Sequence, residues 1–254
     1  MNQDILKARL NLNAVLRNLE LLPELDATAA EIIREWTVAI RFSIRGDLSA
    51  RLAFRGGACT YQPDASDPAD VSLFFWSGAH LNAMFENRAN PIPLKGFARL
   101  GFLKNEFPRI TERLEYYLKP DAEQLNDAEY VRINTTLTLY TAVFAACELA
   151  RLDPIARLVA QQTPAGVLQM GILPDGPCAH LVYDGHGGVT AVRGAADAPS
   201  ASITISDFQT ANRLFNGQLD GFGAVVLGDV QLKGLIPMID NSNLILDRIP
   251  LYLQ

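Results

Sequence analysis

The sequence predicts an α+β fold built from two related units, and three observations carry that prediction. Apolar and polar residues alternate along several short runs, the period of half-buried strands. Between them lie stretches whose apolar residues recur every three or four positions, the period of a one-sided helix. Both kinds of stretch return in the same order roughly 130 residues later.

The chain opens helically, to about Leu22, with Ile5, Leu6, Leu10, Val15, Leu16 and Leu19 apolar. In WTVAIRFSI, Trp36, Val38, Ile40, Phe42 and Ile44 share one strand face, while Thr37, Arg41, Ser43 and Arg45 share the other. Gly46-Asp47 breaks this run. Leu48, Ala50, Leu52 and Phe54 then alternate with polar residues as far as the Gly56-Gly57 turn. Further strands are expected at Ala58–Tyr61 and Val71–Phe75. A helix carrying Leu81, Met84 and Phe85 follows, then the short IPLKG strand and a helix from Ile110 to Leu118.

The second half repeats this order. GVLQMGIL (166–173) reads as a strand, closed by the turn Pro174-Asp175-Gly176. Ala179–Tyr183 matches Ala50–Phe54 at an offset of 129, and Ile203 and Ile205 match Val71 and Leu73 at 132. Asn82 and Asn212 share an offset of 130, as do Phe85 and Phe215. Ser206 is placed to cap the second helix, with Gln209 completing a capping box. Leu94-Lys95-Gly96 and Leu232-Lys233-Gly234 differ by 138, so the second copy has eight more residues ahead of its last strand. The copies are joined by a helical stripe through Ile133, Leu137, Tyr140, Phe144 and Cys147. Asp153-Pro154 ends it and opens another helix, as cap and first-turn proline. A helix near Met238–Leu246 closes the second copy.

Apolar residues make up 49% and charged residues 20% of the 254, the balance of a folded protein with a generous core. The net charge is −6. Residues 1–120 carry 15 Lys/Arg against 14 Asp/Glu, residues 121–254 only 7 against 14. Neither half has the dense basic patch that a nucleic-acid backbone requires, and the acidic second half would be repelled by anionic lipid headgroups. Cys59, Cys147 and Cys178 are widely spaced and odd in number, which suggests neither a disulfide framework nor a zinc site. With no signal-like or membrane-spanning apolar run, the sequence is expected to be cytoplasmic.

Little local chemistry is written in the chain. His80 falls in the first turn of a helix, His180 on a strand, and His186 in the turn YDGHGG, without the G-x-S-x-G elbow of an ester hydrolase. Gly221, Gly223 and Gly228 do not have dinucleotide-binding spacing. No catalytic residue, metal or cofactor is assigned, and enzymatic activity is left open because acid–base pairs assemble in space. Asp207, Asp220 and Asp229 are the C-terminal carboxylates to consider, with Asp207 expected at a helix start.

Apolar residues crowd the 31 positions from Phe208 to Met238, more than a simple two-layer core needs. Helices held off a sheet can enclose an apolar tunnel, where an alkyl chain gains about 0.8 kcal/mol per CH₂. The ordered set SDFQTANRLFNGQ, GFGAVVLGD and VQLKG resembles the sterol carrier protein type 2 (SCP2) family, over about 165–248 and more weakly over about 36–118. Ala69-Asp70-Val71-Ser72 matches the start of that family's fourth strand. The second copy's Ala201-Ser202-Ile203-Thr204 matches it without the Asp.

The resemblance implies two SCP2-like units, each a mostly antiparallel sheet with helices on one face. The N-terminal helix and a degenerate unit would occupy 1–120, a helical connector 121–164, and the fuller unit 165–254. It also implies non-enzymatic binding of a lipid, fatty acyl chain or sterol-like molecule between sheet and C-terminal helices. Phe208, Leu214, Phe215, Phe222, Val225, Val226, Leu232, Leu235 and Met238 would then line the site. The alternative is a structural or protein-interaction module without a cavity, with a homo-oligomer or protein partner left open.

Overall fold

Strict alternation places Ile40, Phe42 and Ile44 of β1 (Val38–Ile44) and Ala50, Leu52 and Phe54 of β2 (Ser49–Arg55) on one buried face. In the computed structural model, which describes residues 3–46 and 48–253, this face belongs to the first of two compact units, Met1–Lys119 and Pro120–Gln254. Asp47, half of the expected break after β1, lies outside the described residues. β3 (Ala58–Pro63), β4 (Val71–Phe75) and β5 (Ile92–Lys95) complete a sheet of order β3-β2-β1-β4-β5. Only the β1·β4 pair is parallel. The opposite face carries a transverse polar row, Gln62–Arg51–Arg41–Ser72–Lys95. Three of its cations hold the loop before β4 by successive carbonyls: Arg41 donates to Asp67 O, Arg51 to Pro68 O and Lys95 to Ala69 O.

The first unit begins with α1 (Gln3–Leu10), which continues as a π-helical turn (Asn11–Val15) and a 3₁₀ stretch (Leu16–Glu20). The expected helix is therefore present but changes winding where asparagines enter the core. Asn11 donates to Asn82 Oδ1, and Asn13 accepts from the Tyr61 hydroxyl at 2.5 Å. Local rewinding aims such side chains at partners a regular helix would miss. α2 (Leu22–Leu25) and α3 (Ala27–Ile33) lead into β1. α4 (Gly78–Phe85) lies between β4 and β5, and α5 (Leu100–Asn105) and α6 (Phe107–Leu118) end the unit.

The second unit runs through α7 (Ala128–Leu152) and α8 (Pro154–Gln162), capped by Asp127 and Asp153 respectively. The stretch 121–164 lies within this unit, where α7 packs on α8, α9 (Phe208–Phe215) and α11 (Ile236–Leu246). The strands are β6 (Gly166–Ile172), β7 (Cys178–Tyr183), β8 (Val189–Arg193), β9 (Ala201–Ile205) and β10 (Val230–Gly234), with α10 (Gly221–Leu227) between α9 and β10. Their order, β10-β9-β6-β7-β8, is that of the first unit, with β6·β9 as the parallel pair.

The registers refine the match between units. Ile40 faces Val71 across β1·β4 and Leu168 faces Ala201 across β6·β9, so β4 and β9 correspond at an offset of 130, not 132. Alternation cannot detect a two-residue slip, because it leaves every side chain on the same face. The corrected register also supplies the polar residue expected at the start of β9. Asp70 Oδ2 accepts from Ala39 N at 2.7 Å, and Ser200 Oγ accepts from Val167 N at 3.2 Å, the equivalent position.

The recurring Leu-Lys-Gly is fixed by the same contact. Gly96 and Gly234 have φ of +89° and +87°, and a Cβ on them would lie 2.7 Å from Asp70 O and closer still to Ser200 O. Only glycine fits there. The cap of α9 is Asp207, which accepts from Thr210 N at 2.8 Å, whereas Ser206 donates its hydroxyl to Asp207. The expected Ser206 capping box is thus displaced by one residue, since a carboxylate is the stronger acceptor at a helix start.

Candidate functional site

At one end of the second sheet, Ile172 and Ile205 meet Ala211 of α9, Ala224 of α10 and Val230 of β10. The fully buried members are small or β-branched. Around them pack larger side chains that are only partly buried: Ile203, Phe208, Leu214, Phe215, Leu219, Val225 and Leu232. The glycine-flanked α10 closes over this cluster with Ala224 buried and Asp220 capping it through Gly223 N at 2.7 Å.

Of the nine residues the sequence singles out, Phe208, Leu214, Phe215, Val225 and Leu232 come together here. Phe222 and Val226 lie on the outer side of α10, 79% and 69% exposed, and Leu235 is also exposed. Met238 is buried elsewhere, on α11, where a Cβ added to Gly166 would meet its Cε. Ile203 and Leu219 were absent from the expected lining. The strand period already placed Ile203 on β9, but Leu219 sits in the polar connection NGQLDG, where no pattern marks it.

At the other end of its sheet from Ile44 and Phe75, the equivalents of Ile172 and Ile205, the first unit gathers aromatic rings. Trp36, Phe54, Phe102 and Phe107 form a chain of ring contacts with centroids 4.8–6.5 Å apart, and Phe42 joins through Phe107. Such rings bury large areas and interlock edge to face. The second unit has Tyr183 at the position of Phe54. Its hydroxyl lies 2.7 Å from Ser242 Oγ, which donates to Met238 O, and burial pushes the phenol up to about 12.

Each unit also ties its C-terminal segment, α6 in the first and the 3₁₀ turn after α11 in the second, to an earlier helix cap with an Asp, an Arg and a Tyr. Asp26 caps α3 and takes two hydrogen bonds from Arg113, which in turn donates to the Tyr117 hydroxyl. Asp153 caps α8 and takes two from Arg248, at 2.5 and 2.8 Å, and one from the Tyr252 hydroxyl at 2.6 Å. Burial works to raise the Asp153 carboxyl, but Arg248, the Ala156 amide and Tyr252 together hold it below the ordinary carboxylate range. The sequence announces this clasp as Arg-x-x-x-Tyr near the end of each unit, a signal that the repeat offsets do not capture.

The remaining candidate groups are engaged structurally. His80 Nδ1 accepts from Trp76 N while Nε2 bonds Asn90 O, and His180 Nδ1 bonds Gly194 O. The His186 turn is held by Asp184, which accepts from His186 N and Gly188 N. Among the described residues, no group of three or more His, Cys, Asp or Glu is placed to hold a metal, and no helix is long and apolar enough to cross a membrane. A shallow groove of about 410 Å³ in the first unit, lined by Thr28, Ile32, Arg109, Glu112, Arg113 and Tyr116, touches the clasp there through Arg113.

Fold and cluster together describe twin α+β units, of which the second carries an incompletely buried apolar cluster under short helices. No family model matches the sequence, and no curated protein matches it. Solved structures similar to part of the chain include the UbiJ-SCP2 ubiquinone synthesis protein, at 16% identity and a TM-score of 0.31, covering 39% of this chain and 86% of that one. Sterol carrier protein 2 like 2 from Aedes aegypti matches at 14% identity and 0.32, covering 43% and 94%. A conserved hypothetical protein from Thermus thermophilus matches at 23% identity and 0.31, covering 42% and 82%. These are distant likenesses of fold alone to SCP2-like proteins.

Proposed function

We propose that the chain is an internal duplication of an SCP2-like unit and that its second unit binds an apolar ligand, a fatty acyl chain or sterol-like molecule, at the cluster beneath α9 and α10. One observation carries the reading: large side chains surround a floor of small buried ones and stay only partly buried. A side chain left half-buried forgoes part of its transfer free energy, which an apolar ligand packed against it recovers at about 25 cal/mol per Å². Phe208, Leu214, Phe215, Val225 and Leu232 are the proposed contacts, and binding requires no chemical step. The duplication is supported by equal strand order, equivalent parallel registers and the paired clasps.

Titrating a fluorescent fatty acid into the full chain tests this. Saturable emission gain at micromolar concentration is expected, weakened at least tenfold by Leu214→Asp in protein whose circular dichroism is unchanged. No gain, or equal gain with the variant, refutes it. A second reading, a structural or interaction module, draws on the exposed Ile155 and Leu158 of α8 and Leu244 of α11. Its signature is self-association lost on Leu158→Ser, without probe uptake.

A further inference from the structure

The two units provide an internal control for one element. In the first, the chain passes from Phe85 at the end of α4 to Ile92 at the start of β5 with no intervening helix. In the second, the corresponding passage from Phe215 to Val230 contains α10. Both sheets nevertheless have the same five-strand order. A unit of this topology therefore closes without α10, and what α10 adds is surface.

That surface is apolar on both sides. Ala224 and Val225 face the cluster, while Phe222, Leu227 and Val226 protrude at 79%, 74% and 69% exposure. From Gly221 to Gly228 no side chain carries a charge or a hydrogen-bonding group. A helix of a water-facing unit ordinarily presents a polar outer face, and one apolar all round is matched to apolar surroundings. We propose that α10 seats the second unit on an uncharged lipid surface, its three protruding side chains inserted among the acyl chains.

Size and charge select this occupant. Seven residues of helix span about 10 Å. Three side chains offer well under the roughly 800 Å² per partner of a specific protein interface, and this helix has no polar rim to complete one. Insertion into lipid needs no matched surface, and its strength scales with the apolar area inserted, so a small patch gives reversible docking. The lipid is uncharged because Asp220 and Asp229 bracket the segment and residues 121–254 hold 14 acidic side chains against 7 basic ones. An anionic leaflet would oppose them. For its purpose, transfer of a ligand between membrane and cluster, the proposal rests on the reading above; the docking itself stands on α10 alone.

The experiment is flotation of the full chain with pure phosphatidylcholine vesicles at physiological salt, beside the Phe222→Ser/Val226→Ser/Leu227→Ser variant. These side chains are exposed, so the variant is expected to keep the parent's thermal unfolding curve, and Leu94→Ser in the first unit serves as a control. The parent and the control should float with lipid, and the triple variant should partition at least tenfold less. A parent that stays with the aqueous phase, a triple variant that floats equally, or binding confined to phosphatidylserine vesicles and lost in salt overturns the proposal. So does a parent dimer that the triple substitution dissolves, which would make α10 a contact between copies. Flotation without fatty-acid binding in solution would refute the ligand reading and leave docking standing; the converse would refute docking alone.

Discussion

Asp153 is fully buried and carries three jobs at once: it caps α8, pairs with Arg248 and accepts from Tyr252. Removing one partner of such a pair strands a buried charge, so Arg248→Met should destabilise the second unit by about 3–5 kcal/mol, read from the urea midpoint. Tyr252→Phe, which deletes one hydrogen bond to a charged group, should cost about 1.5–3 kcal/mol. The same carboxyl gives a pH dependence of definite sign. Its folded value lies below the unfolded value of roughly 3.9, so the stabilisation is complete above that point and drains away as pH falls through the folded value. Asp153→Asn should therefore lower the urea midpoint at pH 7 and flatten its decline as pH falls below about 4. A variant with the parent's full acid slope would show that Asp153 is not held as an ion.

At the scale of elements, the final strand of each unit depends on a glycine that cannot be replaced. Gly234→Ala would drive a methyl into Ser200 O at a φ of +87°, combining a clash with a left-handed backbone. A loss of about 2–4 kcal/mol is expected in chemical denaturation, whereas Gly101→Ala, at an open site in helix α5, should gain about 0.4–1 kcal/mol. A small loss would mean that β10 can move away from β9. The tripeptide Leu-Lys-Gly was visible in the sequence because this constraint acts twice. The two-residue error in matching β4 to β9 arose because period two is blind to even slips, and only pairing with the central strand sets the count. Strands and helices were thus legible as types and in order. Their registers depended on hydrogen bonds between residues far apart in sequence, such as Asp70 with Ala39, whereas caps are local: that of Asp153 was legible and that of α9 lay one residue on, at Asp207.

Across the whole molecule, two units of one topology differ in what fills them. The first interlocks Trp36, Phe54, Phe102 and Phe107 at the end of its sheet where the second has Tyr183 against Ser242, and at the opposite end the second adds α10, beside which Phe208, Leu214, Phe215 and Leu232 stay partly buried. The concentration of apolar residues between Phe208 and Met238 pointed to this region. It could not separate residues facing inward from Phe222 and Val226 facing out, because an apolar-all-round helix has no polar stripe to orient it. Met238 was misleading for a related reason: it follows the last strand closely in sequence, yet packs from α11 near Gly166. The central claim, that the second unit holds an apolar ligand, is tested most directly by native mass spectrometry of the gently purified 254-residue chain. The expected result is a species heavier than the bare polypeptide by one fatty-acyl or sterol-like molecule, removed by organic extraction and lost in Leu214→Asp. The bare mass alone, in protein that also fails to take up added fatty acid, would contradict it.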